Sequence, residues 1–331
     1  MWELLQAKGY DPDNIFVLFA DGVDYSFNHP LIDDRYKPSS TVTVTDYPAT
    51  LANLQMVFNG LRLGNGGFPQ LTEDDFLFVW TFDHGMFIEG HARLLLMDDE
   101  YIIEDDFAAL VNPIPAHKKA FWMLQCNSGG FNGALEGQNT VFHSACQYLE
   151  GAESGNDTPD IENELINGKQ YTHSECFFHM YSSTNGESPA YLDSYDNEDY
   201  TDADLNTDLY ISLYESWIWE SDHEDLDETP LFSDLGAISA YTSLEYPTLL
   251  HSNMTTNESH RGIIGISKSF SVKAESELVL LKNSKVDILN GSELTVESGA
   301  TLTIGKYVEF TNGKIIIEDG ATVNIDTDLT T

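Results

Sequence analysis

Two short motifs in the first half of the chain contain residues that could carry out nucleophilic chemistry together. The apolar run 76–82 leads into Asp83-His84-Gly85, and the apolar run 120–124 leads into Gln125 and Cys126. A cysteine becomes a useful nucleophile at neutral pH when a base or a positive neighbour helps it to form the thiolate. Histidine is the most common general base and acid in enzymes. The pair therefore suggests thiol-based catalysis.

The two motifs would meet if both runs are neighbouring strands of one parallel sheet. Catalytic groups of open parallel sheets lie at the carboxyl ends of the strands, so His84 and Cys126 would emerge on the same rim. The N–H groups of Gly85 and Cys126 could then stabilise an oxyanion. A lone cysteine after a strand is more often a small buried hydrophobe. Two reactive residues at strand ends, each close to glycine, favour a functional site.

The elements that would position these residues alternate between strands and helices over residues 1–150. Short apolar runs typical of buried strands lie at 15–19, 76–82 and 120–124, and the segment 141–145 is predicted to be a further buried strand. Apolar residues follow helical spacing over 51–61, where the helix would end at Gly64, and again around Phe107. The pattern predicts an α/β fold with a mostly parallel sheet flanked by helices.

Composition excludes several classes of protein. The 331 residues include 55 Asp and Glu against 15 Lys and Arg, a formal net charge of -40, which repels nucleic acid and anionic membranes. Three cysteines without a CxxC pair exclude a disulfide framework, a zinc ribbon and a thioredoxin motif. No apolar run reaches the roughly 20 residues of a membrane span, and no signal-peptide pattern follows Met1.

The order of motifs resembles the legumain family of the caspase-like (clan CD) cysteine peptidases, whose relatives include gingipains and clostripain. The likeness rests on Asp-His-Gly after one apolar strand and Cys-x-Ser-Gly after the next, and it extends over residues 1–185. It implies a cysteine endopeptidase that acts on proteins or peptides without an organic cofactor. Cys126 would form a thioester with the substrate, and His84 would protonate the leaving amine.

The sequence departs from this family at the primary specificity pocket. Relatives usually carry Glu, Asp or Gln two residues before the cysteine, where this chain has Leu124. The pocket would then be apolar, or it would take a polar group from the segment between Ser144 and Ser154. Selection of a basic residue by a charge at the pocket floor is not expected.

A second departure concerns the start of the domain. Family members begin with a strand and a loop before the first helix, whereas this chain begins within that helix. The resemblance therefore implies a missing first strand, supplied by another chain, by an upstream segment, or by a later segment such as residues 262–266.

An acidic stretch at about 193–222, within a predicted peptidase domain at 1–250, contains a candidate calcium loop. Its residues at EF-hand ligand positions are Asp204, Asn206, Asp208, Tyr210, Ser212 and Glu215. Carboxylate oxygens at this spacing can surround one Ca²⁺ ion. Leu209 replaces the usual turn glycine, and a chain this acidic can show the same alternation without binding calcium.

Residues 262–331 form a second predicted domain, in which a short sequence pattern repeats. Short β-type segments follow Gly291, Gly299, Gly313 and Gly320, so the first and third begin 22 residues apart and the second and fourth 21. This repeat favours stacked turns of a β-solenoid, with an antiparallel β-sandwich as the alternative. Extracellular bacterial proteins often combine a peptidase-like domain, calcium loops and β-repeats, which suggests a secreted or cell-surface location. An inactive peptidase-like scaffold and a surface-filament protein remain the alternative functions.

Overall fold

The computed structural model describes most of the chain and divides it into two compact units. The described residues are 1–23, 43–152, 165–166, 169–170, 175–186, 202–205, 210–223, 228–245, 248–250, 253–260, 262–266, 270–282, 284–288 and 292–325. The first unit comprises Met1–Ala203 and Ile211–Thr242, and the second comprises Asp204–Tyr210 and Ser243–Thr331. Within the described residues, no helix is both long and apolar enough to cross a membrane.

The first unit is a mixed α/β structure. Its helices are α1 (Trp2–Ala7), α2 (Leu51–Leu63), α3 (Glu104–Val111), α4 (Asn132–Leu135), α5 (Glu175–Asn185) and α6 (Leu213–His223). Its strands are β1 (Phe76–Thr81), β2 (Gly85–Ile88), β3 (His91–Leu95), β4 (Tyr101–Ile103), β5 (Lys118–Met123), β6 (Thr140–Ser144), β7 (Leu165–Ile166), β8 (Lys169–Gln170) and β9 (Leu231–Ser233).

The main sheet has the strand order β1-β5-β6-β9. Strands β1, β5 and β6 are parallel, and β9 runs antiparallel to β6. Every residue of β5 and of β6 is buried, as expected for the central strands of a sheet covered on both faces. Strand β1 is at the edge of the described sheet, and five of its six residues are only partly buried because it has one neighbour there.

Helices cover both faces of this sheet. Because successive strand residues point to opposite faces, Phe142 packs in the core with α2 and α3, while the adjacent His143 ring lies 5.0 Å from Trp217 of α6. Helix α2 begins at a Thr50 cap, whose hydroxyl accepts the Asn53 amide, and ends at Gly64 with φ 64°. The predicted helix and its glycine stop are confirmed.

The segment 15–19 differs from the predicted strand. It forms a single parallel bridge, between Leu18 and Tyr47, and belongs to no multi-stranded sheet of the described residues. The Val17 amide donates to the Asp46 side chain at 2.8 Å. A side chain that takes a backbone donor in this way competes with the ladder of a regular strand.

The second unit consists of short strands. They are β10 (Thr248–Leu250), β11 (Glu258–His260), β12 (Ile263–Ile266), β13 (Phe270–Val272), β14 (Glu277–Leu280), β15 (Lys285–Ile288), β16 (Glu293–Val296), β17 (Thr301–Ile304), β18 (Glu309–Thr311), β19 (Lys314–Ile317) and β20 (Thr322–Ile325). Each strand from β11 to β17 pairs in parallel with the third strand after it. All pairings among these described strands are parallel, so the alternative of an antiparallel sandwich is wrong.

The repeat noted in the sequence corresponds to these pairings. Glu293 of β16 pairs with Lys314 of β19, and Thr301 of β17 pairs with Thr322 of β20. The segment 262–266 was one expected source of a missing first strand, and this expectation is wrong. Its residues form β12, which pairs with β10 and β15 inside the second unit.

Candidate active site

The register of the main sheet places the two predicted reactive residues at equivalent positions. Thr81, the last residue of β1, pairs with Met123, the last residue of β5. His84 and Cys126 each follow three residues later. Because the two strands are parallel, both residues lie beyond the same carboxyl rim. The predicted adjacency of the two strands is confirmed.

Direct backbone contact joins the two motifs at this rim. A Cβ atom added to Gly85 would overlap the carbonyl oxygen of Cys126 and lie 2.9 Å from its carbonyl carbon. Only glycine fits there without displacing a neighbour. The Thr81 hydroxyl also donates to the Gln125 Oε1 atom at 2.7 Å, and Gln125 is fully buried. This hydrogen bond and the close backbone contact therefore hold the carboxyl ends of β1 and β5 together beside the site.

His84 is exposed, but its backbone is fixed on both sides. Its N–H donates to the Asp83 Oδ1 atom at 2.6 Å, and its carbonyl oxygen accepts the Leu95 amide at 3.0 Å. The second bond connects His84 to β3, the middle strand of the antiparallel sheet β2-β3-β4. An exposed imidazole on a fixed backbone is accessible to a substrate.

The Cys126 side chain is partly exposed beneath a loop. Its Sγ atom accepts a hydrogen bond from the backbone N–H of Ala152, with an N–S distance of 3.3 Å. A Cβ added to Gly151 would lie 3.9 Å from the same sulfur. The loop 147–152 therefore passes close to the thiol and forms one wall of the site.

That loop is held by residues that the sequence analysis did not identify. Asn127, with φ 60°, donates its backbone N–H to the Glu150 carbonyl oxygen at 2.8 Å. The Glu150 carboxylate accepts the Gln147 amide and both the amide and the hydroxyl of Thr229, each at 3.0 Å. Glu150 is a positioning residue for the loop. No sequence signal marks it, because Thr229 is 79 residues away.

The three cysteines differ in their environments. Cys146 and Cys176 are fully buried, whereas Cys126 is not. Burial raises the pKa of the Cys146 thiol to about 11, and hydrogen bonds from Ser128 only partly oppose this effect. A thiol of this kind is inert at neutral pH. Cys126 is the one of the three cysteines that is partly exposed.

The predicted pocket residues lie behind the rim. Leu124 is 2% exposed, and its amide donates to the Thr81 carbonyl oxygen at 3.0 Å. Ser144 is fully buried, and its hydroxyl donates to the Cys146 carbonyl oxygen at 3.1 Å. Ser154 lies outside the described residues. The role of all three in a specificity pocket stays a prediction.

The candidate calcium loop is described only in part, since Asn206 and Asp208 lie outside the described residues. Ser212 and Glu215 make reciprocal hydrogen bonds at the start of α6. The Glu215 Oε2 atom accepts the Ser212 amide at 2.9 Å and its hydroxyl at 2.6 Å, while the Glu215 amide donates to the Ser212 Oγ atom at 3.2 Å. This arrangement is a capping box, for which the sequence Ser-x-x-Glu is the signal.

The capping box gives Ser212 and Glu215 a structural role that needs no metal. Asp204 and Tyr210 belong to the second unit, whereas Ser212 and Glu215 belong to the first. Calcium binding by the loop stays a prediction.

Comparison with known proteins does not identify the chain. No model of a known protein family matches it, and no curated protein matches it.

Proposed function

We propose that the first unit is a caspase-like cysteine endopeptidase with Cys126 as its nucleophile and His84 as its acid–base residue. The observation that carries this proposal is the parallel register of β1 and β5, which brings the two residues to equivalent positions on one rim. The exposure of Cys126 and the contact between Gly85 and the Cys126 backbone support it further.

The reaction is hydrolysis of a peptide bond in two steps. The Cys126 thiol gives its proton to His84 as its sulfur attacks the carbonyl carbon, while backbone N–H groups of Gly85 and Cys126 stabilise the oxyanion. His84 transfers a proton to the leaving nitrogen as the C–N bond breaks, which releases the amine and leaves a thioester. Water then attacks the thioester, and the thiol and the carboxylic acid are released.

The residue two positions before the nucleophile supports an uncharged primary pocket. Leu124 offers a buried apolar side chain where relatives usually carry an acidic residue or Gln. Peptides with an apolar residue before the scissile bond are the expected substrates. A cleavage profile dominated by Arg or Lys would contradict this part of the proposal.

The second unit supports a secreted or cell-surface protein of bacterial type. Its parallel strands, paired at every third position, are consistent with a β-solenoid. We infer that this unit extends or displays the peptidase. Calcium binding at Asp204 to Glu215 belongs to the same proposal.

The decisive experiment is labelling with a thiol-reactive peptide inhibitor, followed by mapping of the modified cysteine. We expect one label per chain, on Cys126, and loss of both labelling and peptide hydrolysis in Cys126→Ala. Cys146→Ala is the matched control and should keep both. The inactive scaffold would be favoured if the folded chain were labelled at a residue other than Cys126. It would also be favoured if no inhibitor in a panel of apolar peptides labelled the chain.

A further inference from the structure

A second group of reactive side chains lies in the first unit, on the sheet face covered by α5 and α6. His143 projects from β6, Cys176 lies on α5 and Glu220 on α6. Their ligand atoms, an imidazole nitrogen, the Sγ atom and a carboxylate oxygen, all lie within 4.8 Å of one another. His143 is 2% exposed, and Cys176 and Glu220 are 0% exposed. Three polar groups have been brought together from distant parts of the chain and removed from water.

The His143 and Glu220 members of this group face each other without an ordinary hydrogen bond within the described residues. The His143 Nε2 atom lies 3.4 Å from the Glu220 Oε2 atom. Within the described part of the chain, neither Nε2 nor either Glu220 carboxylate oxygen makes a hydrogen bond. Around the imidazole are aromatic rings, with Trp217 at 5.0 Å and Phe232 at 6.0 Å between centroids. A carboxylate buried without a donor is strongly unfavourable, so a cation at this position would explain the arrangement.

We propose that His143, Cys176 and Glu220 bind one Zn²⁺ ion. Thiolate, imidazole and carboxylate are the ligands that zinc takes in proteins, whereas Ca²⁺ and Mg²⁺ select oxygen alone. Bonds of about 2.0–2.3 Å in a tetrahedron place neighbouring ligand atoms about 3.3–3.7 Å apart. The 3.4 Å between His143 and Glu220 agrees with that spacing. A thiolate, a carboxylate and a neutral imidazole together balance the two positive charges of the metal.

The role of this zinc is to join β6 to α5 and α6. Three protein ligands leave one coordination position for a water molecule. His143 directly precedes Ser144, whose hydroxyl supports the Cys146 backbone next to the loop over Cys126. The zinc site is separate from the proposed peptidase chemistry and does not depend on it.

The first test uses the full chain freed of metal with a chelator and reloaded with Co²⁺ in excess Mg²⁺. The Mg²⁺ occupies the acidic surface, so weak binding there is suppressed. We expect one Co²⁺ per chain and a thiolate-to-cobalt charge-transfer absorption, which Zn²⁺ abolishes by displacement. Cys176→Ser should lose the absorption, while the matched controls Cys126→Ser and Cys146→Ser should keep it. An absorption that survives Cys176→Ser would overturn the proposal.

A second test covers the case in which Cys176→Ser does not fold. Glu220→Gln keeps the shape of the side chain but removes its charge, and it should weaken zinc binding more than about 100-fold. The zinc content of the unmodified chain and its melting temperature with and without chelator need no variant at all. Absence of stoichiometric zinc after equilibration with micromolar Zn²⁺ would overturn the proposal.

The structure contains a second cluster that serves as an internal control. His91, Glu104 and Asp105 also lie within reach of one ion, but the His91 Nδ1 atom already bonds the Glu104 carboxylate at 2.9 Å, and Asp105 is exposed. His91→Ala should leave the stoichiometric metal in place. If His91→Ala removed it, the ion would be at the wrong cluster and the assignment would be refuted.

Discussion

Substitution of Gly85 tests the geometry of the rim most directly. In Gly85→Ala the new Cβ would lie 2.9 Å from the Cys126 carbonyl carbon and 2.9 Å from the Gln125 Cγ atom, and closer still to the Cys126 oxygen. Ordinary contacts begin at 3.4 Å, so the Cys126 backbone must move by more than 0.5 Å. Catalytic groups tolerate displacements of about 0.5 Å, and a displacement of about 1 Å costs about 100-fold in rate.

The expected result is a loss of function larger than the loss of stability. Overpacking of this kind costs about 1–3 kcal/mol in the free energy of unfolding, which lowers the melting temperature by several degrees. The rate of Cys126 labelling by a peptide inhibitor should fall about 100-fold. Thermal denaturation and time-resolved labelling below the melting temperature measure the two effects separately.

Two glycines provide matched controls for Gly85→Ala. At Gly236 a Cβ would overlap the Gln138 carbonyl oxygen and lie 2.8 Å from its carbon, so Gly236→Ala should cost similar stability without slowing the labelling. At Gly133, within α4, a Cβ would meet nothing within 4 Å, so Gly133→Ala should change neither. Equal slowing of labelling in Gly85→Ala and Gly236→Ala would refute the argument from the rim.

Three further predictions concern other residues. His84→Ala should slow hydrolysis by about 10²–10⁴-fold, since it removes the proposed acid–base group, yet leave the melting temperature nearly unchanged because the residue is exposed. Cys146, with a pKa of about 11, should resist iodoacetamide in the native chain at pH 8, where about 0.1% is thiolate. Because this folded pKa is above the ordinary value of 9.0, its contribution to stability should be lost as the pH rises from 9 to 11, and Cys146→Ala should show less of this loss. Glu215→Gln should keep the capping box, which accepts Gln, but abolish any increase in melting temperature caused by millimolar Ca²⁺.

Each of these has a clear contrary outcome. Hydrolysis that persists in His84→Ala would assign the proton transfer to another group. Rapid native alkylation of Cys146 would mean that its burial is not maintained in solution. For Glu215, a melting temperature of the unmodified chain that is equal in Ca²⁺ and in Mg²⁺ at the same ionic strength would remove the calcium hypothesis.

The parts of the fold that could be predicted are those specified by local sequence. The apolar segments 76–82 and 120–124 predicted β1 and most of β5, and the segment 141–145 predicted β6, because central strands of a parallel sheet carry few exposed polar positions. Thr50 and Gly64 mark the ends of α2 by the chemistry of helix capping. The spacings of 22 and 21 residues between the repeats agree to within one residue with the 21-residue pairing of β16 with β19 and of β17 with β20.

The parts that could not be predicted depend on contacts between distant residues. The apolar run 15–19 predicts a strand, yet the backbone amide of Val17 donates to the Asp46 carboxylate instead of to a neighbouring strand. The position of β9 against β6 joins residues about 90 apart, and no local pattern specifies such a partner.

The candidate site also contains residues that local sequence identifies and residues that only long-range contacts bring together. The strand-end motifs at His84 and Cys126 were readable, because parallel strands share a rim. The hydrogen bonds of Glu150 to Thr229 could not be predicted from the sequence, and neither could the group formed by His143, Cys176 and Glu220. In both cases the partners lie on separate elements. The capping role of Glu215 was readable from Ser-x-x-Glu, but the acidic alternation before it favoured a calcium interpretation instead.

The third-strand pairing of the second unit has a consequence for how this protein can vary over time. Paired residues from β11 onward are separated by between 20 residues, as for Glu258 and Leu278, and 24, as for Phe270 and Leu294. Among the described strands, each of these pairings joins one repeat to the next repeat along the chain. Gene duplication or deletion of one whole repeat would join surfaces that already fit each other. Descendants of this chain can thus differ in the length of the second unit while the rim of the first unit that carries His84 and Cys126 stays intact.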